Sequence, residues 1–306
     1  MRQVIQNTVD QVGLVVLGKE QQIKLAIACL LSGGHLLIED MPGMGKTTLA
    51  HALAKVFNLS YNRIQFTSDI LPADIIGASI FNKDKGQFEF HEGPIFNQLV
   101  LADEINRTTP KSQSALLEAM EERQVTVDGN SRALPDPFFV IATQNPSTQA
   151  GTFPLPESQL DRFLMRIELG YPDPVAERIL LQEQDRRIVI ATLTTSINLI
   201  KLRELQSLCK QVKVSEALLD YIQRIIAYTR ETSDFIHGLS PRGGMALVSS
   251  AKSWAFMDDR TYVVPEDVQA VLSAVIEHRL RESADFTDRV GTALSQRLLS
   301  HVDVIG

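Results

Sequence analysis

The feature that most constrains the fold is a turn between an apolar run and a helix-forming run, at residues 38–48 (IEDMPGMGKTT). The preceding run HLLIE (35–39) favours a buried strand, and KTTLAHALAKVF (46–57) favours a helix. Between them, Gly43 and Gly45 let the backbone approach a ligand closely. A strand, a glycine-rich turn and a helix N-terminus together form a phosphate-binding loop, so this stretch predicts an α/β nucleotide-binding fold.

The loop residues have predicted roles in binding ATP and Mg²⁺. Backbone N–H groups converge on phosphate oxygens, Lys46 reaches the β- and γ-phosphates, and the Thr47 hydroxyl binds Mg²⁺. The usual spacing G-x-x-x-x-G-K-[ST] requires glycine at position 40, where this chain has Asp40. That first glycine serves mainly the turn that leaves the strand, so the phosphate-binding half is intact. An ordinary glycine-rich β–α turn is the alternative. The predicted loop residues are Pro42, Gly43, Met44, Gly45, Lys46, Thr47 and Thr48.

A pair of acidic residues follows a second apolar run, LVLADE (99–104). The carboxyl ends of parallel strands meet along one edge of a sheet, the edge where a phosphate loop also lies. Asp103 is therefore predicted to hold Mg²⁺, and Glu104 to orient and polarise the attacking water. Alone, such a pair would be read as a common solvated loop, but its position after a phosphate loop makes it specific.

Composition and periodicity predict an α/β domain followed by a smaller all-helical one. The chain has 306 residues, a net charge of −7 and a pI near 5.4. This acidity argues against sequence-independent electrostatic binding of nucleic acid. No apolar run approaches a membrane span and no signal-peptide core is present, so a cytoplasmic protein is expected. Apolar runs alternating with helical patterns predict a mostly parallel sheet. The predicted division is 1–172 for the α/β core, 173–200 for a linker with a helix, and 201–306 for the helical domain.

Two hairpins interrupt the alternation. One is predicted in SIFNKDKGQFEFHEGPIF (79–96), and the other in QVTVDGNSRALP (124–135), around Asp128-Gly129. Neither is needed to complete the sheet, so they are either surface decoration or functional loops.

In combination, the phosphate loop, LADEINRTTPKSQSALLEAMEERQVTV, IATQNP and GTFPLPESQLDRFLMR resemble the AAA+ ATPases, and in particular the MoxR family. The resemblance spans roughly Val15 to Arg279. That family often has aspartate where other loops have the first glycine, so Asp40 fits. The resemblance implies a P-loop AAA+ core, a parallel sheet flanked by helices, with a C-terminal all-helical lid domain.

The resemblance also implies roles for residues outside the loop. Asn145 matches the first sensor, Arg162 the arginine finger, which acts on a neighbouring subunit and so requires a ring, and Arg242 the second sensor. The segment Val16, Leu17 and Gly18 matches the part that packs on adenine. Each has a simpler alternative. These are a turn at Asn145, a salt bridge from Arg162 to Glu157 or Asp161, an incidental arginine after a helix cap at Ser240-Pro241, and an ordinary apolar N-terminal stretch at 16–18.

By resemblance, the expected function is Mg²⁺-dependent ATP hydrolysis by a ring of six subunits, coupled to chaperone-like remodelling of a protein partner. The family's partners often carry a von Willebrand factor A domain. The hairpins match inserts that face the ring axis, where Phe81, Phe88 and Phe90 either contact a client or pack on the domain. Alternatives are the motor subunit of a metal chelatase, a nucleotide-dependent scaffold with low turnover, and a nucleic-acid motor. The last is disfavoured by the acidity and by the lack of a basic-aromatic tract.

Overall fold

The computed structural model describes residues 2–145, 152–182, 186–281 and 294–304. Its centre is a five-stranded, all-parallel sheet, which confirms the predicted α/β fold and parallel sheet. The strands of this sheet are β1 (Leu36–Glu39), β2 (Tyr61–Gln65), β5 (Leu99–Asp103), β8 (Phe139–Gln144) and β9 (Met165–Ile167). Their order across the sheet is β2-β5-β8-β1-β9.

Helices cover the sheet and build the second half of the chain. In the described residues they are α1 (Arg2–Gly13), α2 (Glu20–Leu31), α3 (Lys46–Val56), α4 (Pro72–Ile76), α5 (Pro110–Glu122), α6 (Glu157–Leu160), α7 (Pro174–Gln182), α8 (Arg186–Thr192), α9 (Leu199–Gln211), α10 (Glu216–Glu231), α11 (Pro241–Met257), α12 (Pro265–Ile276) and α13 (Leu294–His301). None of these described helices is long and apolar enough to cross a membrane.

The sheet brings the predicted site residues to one edge. All five residues of β5 are buried, as expected for a strand covered on both faces. Leu101 of β5 pairs with Ile141 of β8, which in turn pairs with Leu36 of β1. The three strands are parallel and in register, so the segments that follow them leave the sheet on the same side.

The two predicted hairpins are present. The first consists of β3 (Gly77–Asn82) and β4 (Gln87–Glu92), and the second of β6 (Gln124–Val127) and β7 (Asn130–Ala133). At the tip of the second, Asp128 and Gly129 both have positive φ, as a two-residue hairpin turn requires.

Aromatic residues of the first hairpin have two different environments. Phe81 and Phe88 are 49% and 71% exposed and contact each other edge to face, with ring centroids 5.3 Å apart. Phe90 instead packs against Phe96, and the Arg132 guanidinium of the second hairpin lies 4.0 Å from the Phe90 ring centroid. The two hairpins are therefore joined by a cation–π contact, while the Phe81–Phe88 pair remains exposed.

The helical part packs directly on the α/β part. Ser32, just after α2, donates a hydrogen bond of 2.8 Å to Ser253 of α11. One buried apolar cluster includes Ile27 of α2 and Leu247 of α11. Because the core is continuous there, the domain division at 172 and 200 stays a prediction.

The predicted linker contains a helix followed by a short irregular connection. α8 ends at Thr192, whose hydroxyl donates to the carbonyl of Val189 at 2.8 Å, and residues 193–198 lead from it to α9 without helix. Ile190 is buried in the core cluster, and this burial stabilises helix where the β-branched sequence alone favours extended backbone.

Candidate nucleotide site

The phosphate loop has the backbone conformation that its glycines predict. Gly43 and Gly45 have φ of 87° and 91°, in the left-handed region that residues with a side chain rarely adopt. A Cβ atom at either position would meet no other atom within 4 Å, so conformation rather than crowding requires glycine. Helix α3 begins at Lys46, immediately after Gly45. The first N–H groups of α3 have no acceptor within the helix, as anion binding at a helix N-terminus requires.

Lys46 is almost completely buried among oxygen acceptors. Its Nζ donates to the carbonyl of Asp40, to the carbonyl of Met41 at 3.3 Å, and to Oδ1 of Asn145 at 3.1 Å. Burial lowers the pKa of Lys46, and the nearby carboxylates, of which Asp40 has the largest effect, oppose that shift. The ammonium thus lies inside the loop. The oxygen atoms that accept its hydrogen bonds occupy positions that phosphate oxygens can take when a nucleotide binds.

Asp103 connects three elements at the carboxyl edge of the sheet. The Thr143 hydroxyl donates to Asp103 Oδ1 at 2.5 Å, and Thr47 Oγ1 lies 3.5 Å from Asp103 Oδ2. The Arg63 guanidinium also donates to Oδ2, from Nε at 3.0 Å and from Nη2 at 2.7 Å. The two predicted Mg²⁺ ligands, Thr47 and Asp103, are therefore adjacent.

Glu104 follows β5 directly, but its backbone does not continue the extended conformation of that strand. Its φ is 58°, in the left-handed region, and its N–H donates to Thr143 Oγ1 at 2.9 Å. The carboxylate accepts from Asn145 Nδ2 at 3.0 Å, from Gln65 Nε2 at 3.0 Å and from Arg107 Nη1 at 3.1 Å. A strained backbone fixed by several hydrogen bonds is typical of a functional position.

Asp40 anchors the loop to the end of the neighbouring strand. Its Oδ2 accepts from the N–H groups of Leu169 at 2.8 Å and Gly170 at 2.6 Å, and its Oδ1 accepts from Met41 N at 2.8 Å. The φ of Asp40 is not positive, so glycine is not required at this position. The departure from the usual spacing therefore adds a hydrogen-bonded link between the loop and the chain after β9.

We expect Asp40→Gly, which restores the usual spacing, to destabilise the protein. It removes the acceptor of three backbone N–H groups, at about 1–3 kcal/mol for a donor left unsatisfied, and adds unfolded-state entropy. Urea unfolding should show a lower midpoint at constant slope, with ATP affinity retained. Asp84→Gly, in the exposed tip of the first hairpin, is the matched control. An equal midpoint for the two variants would contradict the anchoring role.

The segment predicted to contact adenine packs against the stretch of chain after β9, which Asp40 binds. The Lys19 ammonium donates to the carbonyl of Tyr171 at 2.6 Å, one residue beyond Gly170. Gly18 has a φ of 68°, and a Cβ there would lie 2.6 Å from an Asp173 carboxylate oxygen. Val16 is buried and Leu17 partly exposed. The predicted segment 16–18 therefore packs beside the chain that leads into α7; its role toward adenine stays a prediction.

Arg162 and Arg242 meet at a single carboxylate. Arg162 Nη2 lies 3.0 Å from Glu121 Oε2, and Arg242 Nη2 donates to Glu121 Oε1. The salt-bridge partner of Arg162 is thus Glu121 rather than Glu157 or Asp161. Those two carboxylates pair with Arg281 and Arg279 instead, because these side chains approach from the end of α12.

The arginine pair and the phosphate loop lie at opposite ends of β1. Arg162, Arg242 and Glu121 line a cavity of about 330 Å³ together with Gly33 and Gly34, which precede β1. The phosphate loop follows its other end. Four residues of strand span about 13 Å, at ~3.3 Å per residue. The two arginines therefore lie away from the phosphate loop of their own chain.

Several contributors to these sites, Thr143 and Arg107 among them, were not identified from the sequence. Arg63 and Gln65 lie on β2 and bind the two carboxylates described above. They alternate with buried Ile64, a signal that both point to one face of the strand. Glu121 lies in the acidic run Glu121-Glu122 at the end of a helix, where nothing local distinguishes it.

Comparisons with known proteins agree with this geometry. A family model described as ATPase family associated with various cellular activities (AAA) matches residues 35–165, and one described as AAA lid domain matches residues 227–298. A solved structure from Cytophaga hutchinsonii, identified provisionally as an ATPase, has a TM-score of 0.87 and 37% identity, over 99% of this chain and 95% of that chain.

Two relatives match along most of their length. The chain is 44% identical over 298 residues to the protein YeaC of Bacillus subtilis, covering 97% of this chain and 93% of YeaC. It is 38% identical over 285 residues to Chaperone MoxR1 of Mycobacterium tuberculosis, covering 90% of this chain and 75% of that protein. A P-loop at the edge of this sheet, followed by a helical lid, defines an AAA+ ATPase. Within that class, the chain belongs to the MoxR family.

Proposed function

We propose that this chain hydrolyses ATP with Mg²⁺ in a homo-oligomeric ring of six subunits and uses the hydrolysis to remodel a protein partner. The observation that carries the catalytic part is a hydrogen-bonded chain at the sheet edge. Lys46 donates to Asn145 at 3.1 Å, and Asn145 donates to Glu104 at 3.0 Å. The phosphate-binding amine and the candidate water-activating carboxylate are thus coupled through one amide.

The residues at the loop fit Mg²⁺. Thr47 and Asp103 supply a hydroxyl and a carboxylate oxygen 3.5 Å apart. Within the described ranges, no group of three or more His, Cys, Asp or Glu residues could hold a metal by itself. This suits Mg²⁺, which usually takes one or two protein oxygens and completes its shell with phosphates and water. A Mg²⁺ ion there would neutralise charge on the phosphates.

Glu104 and Asn145 are proposed to act on the attacking water. Glu104 is a carboxylate at the end of β5, oriented by Asn145, Gln65 and Arg107, and can accept a proton from water or polarise it. Asn145, 2% exposed, contacts both Glu104 and Lys46, so its amide can respond to what lies in the loop. This supports its proposed role as a sensor.

Arg162 and Arg242 are proposed to act on the neighbouring subunit. They lie at the end of β1 that is remote from their own loop, with 26% and 48% of their side chains exposed. A guanidinium stabilises charge on a transferring phosphoryl group only from close range. A ring satisfies that requirement, because each subunit's arginine face meets the next subunit's loop face.

For the partner, we propose a protein that carries a von Willebrand factor A domain. The exposed Phe81–Phe88 pair offers an apolar contact for a client, and the similarity to a protein named as a chaperone supports a remodelling role. We propose a cytoplasmic location, where the two buried free cysteines, Cys29 and Cys209, stay reduced.

The phosphate loop is tested by Lys46→Ala and Asp103→Ala, both measured by calorimetry. Lys46→Ala is expected to abolish ATP binding, because the β- and γ-phosphates lose their mobile cation. In the absence of Mg²⁺, Asp103→Ala should bind ATP with the same affinity as the wild-type protein. In the presence of Mg²⁺, its affinity should not rise, whereas that of the wild-type protein should. Asp84→Ala, on the hairpin tip, serves as the control. Unchanged ATP affinity in Lys46→Ala would contradict the assignment of the loop.

The partner is tested by capture on Glu104→Gln protein held with ATP. A purified protein with a von Willebrand factor A domain should be retained with ATP and released with ADP. The double variant Glu104→Gln/Lys46→Ala, which cannot bind ATP, is the control and should retain none. Equal retention by both proteins would contradict nucleotide-controlled binding of this partner.

A further inference from the structure

Glu121 joins two arginines that come from distant parts of the chain. Arg162 follows α6 in the α/β part, and Arg242 lies in the first turn of α11 in the helical part. Each guanidinium contacts a different oxygen of the same carboxylate. The structure therefore brings two positive side chains together through one negative group.

The backbones that carry the two arginines are also tied together. Asp161, next to Arg162, accepts from Arg279 Nε at 2.7 Å on one oxygen and from Ser240 Oγ at 3.1 Å on the other. Ser240 in turn accepts from Gly243 N at 3.0 Å and so caps the helix that begins with Arg242. With both backbones fixed, Glu121 controls the remaining freedom, which is that of the side chains.

The position of Glu121 is unfavourable for its own helix. It lies in the last turn of α5, where the helix dipole favours cations over carboxylates. The hydrogen bond from Arg242 and the charge of Arg162 lower the pKa of Glu121, so the carboxylate is ionised at neutral pH. Without the Glu121 carboxylate, the two guanidinium groups would repel each other at this distance. The Glu121 carboxylate is therefore stabilised by the arginine pair and not by the dipole of α5.

We propose that Glu121 is a positioning residue: it holds Arg162 and Arg242 side by side, so that the subunit presents them as a pair to a neighbouring subunit's triphosphate. The inference rests on the proposed function, because it requires the arginines to act across an interface. Glu121 acts only through the arginines and only on the subunit that supplies them. Its effect is thus confined to one side of each interface.

The test uses mixed subunits in which each side of the interface is labelled by a variant. Arg162→Ala subunits supply a working phosphate loop, and Lys46→Ala subunits supply the arginines. Adding Glu121→Ala to the Lys46→Ala subunit is expected to lower the restored turnover by about tenfold or more, because misplaced catalytic groups lose rate steeply. The KM for ATP should not change. Adding the same substitution to the Arg162→Ala subunit should have no effect.

Controls separate positioning from folding. Glu122→Ala, the adjacent exposed carboxylate, should leave turnover unchanged on either subunit. Glu121→Gln keeps one hydrogen-bond acceptor and should show a smaller loss than Glu121→Ala. An equal loss on both subunits would show a general structural role and overturn the inference, as would no loss or a gain on the arginine side. Absent turnover in the parent mixture would instead contradict the proposed function, and this inference with it.

Discussion

Arg162→Ala is expected to bind ATP with unchanged affinity and to lose turnover by about 10³–10⁵, the range for an arginine supplied across an interface in related phosphoryl transfers. Binding is retained because Arg162 pairs with Glu121 at the end of β1 that is remote from the loop. Turnover is lost because the neighbour's transition state loses its stabilising charge. Steady-state ATPase assays and calorimetry on the same preparation measure the two effects.

Arg203→Ala is the matched control for this variant. Arg203 is half-exposed and pairs with Asp136 at 3.4 Å, so its removal costs a comparable surface salt bridge without touching Glu121. It should keep full turnover. If Arg162→Ala hydrolysed ATP as fast as Arg203→Ala, the contact with Glu121 would be only a structural salt bridge.

Glu104→Gln is expected to keep ATP and Mg²⁺ binding while turnover falls by about 10²–10⁴, the usual contribution of a positioned general base. The amide has the shape of the carboxylate and can still accept from Asn145, while Gln65 and Arg107, which donate to the other oxygen, lose their acceptor. The negative charge that polarises water is removed. ATPase assays at saturating ATP give the rate, and calorimetry gives the affinity.

Glu118→Gln, on the exposed face of α5, controls for the loss of one negative charge and should keep full turnover. Normal hydrolysis by Glu104→Gln would contradict the catalytic role of Glu104. Low turnover in the unchanged protein at every concentration would favour the nucleotide-dependent scaffold instead.

The parts of the site that the sequence predicted are those built from local pattern. The loop at 42–48 is recognisable because a strand, two glycines and a helix start follow one another along the chain. Asp103 was predictable as a neighbour of Thr47 because strand ends in a parallel sheet meet at one edge. The 3.5 Å between their oxygens confirms that they are adjacent.

The parts that were not predicted depend on contacts between distant residues. Asp40 could be identified only as a departure from the usual spacing, because its hydrogen-bond partners lie 129 and 130 residues further along the chain. The partner of Arg162 was expected among its neighbours in sequence, yet it is Glu121 on another element. Salt bridges between long side chains follow the packing of helices and strands, which a single sequence does not specify.

The measurement that tests the ring most directly is ATPase activity in a mixture of Arg162→Ala and Lys46→Ala subunits, each inactive alone. In an equal random mixture, about a quarter of the interfaces in a closed ring pair an intact loop with an intact arginine. We therefore expect about a quarter of the unmutated activity, rising steeply with protein concentration as rings form. Two results together would contradict a ring in which neighbouring subunits share each site. The mixture would show no restored activity, and the turnover per subunit of the unmutated protein would not depend on protein concentration.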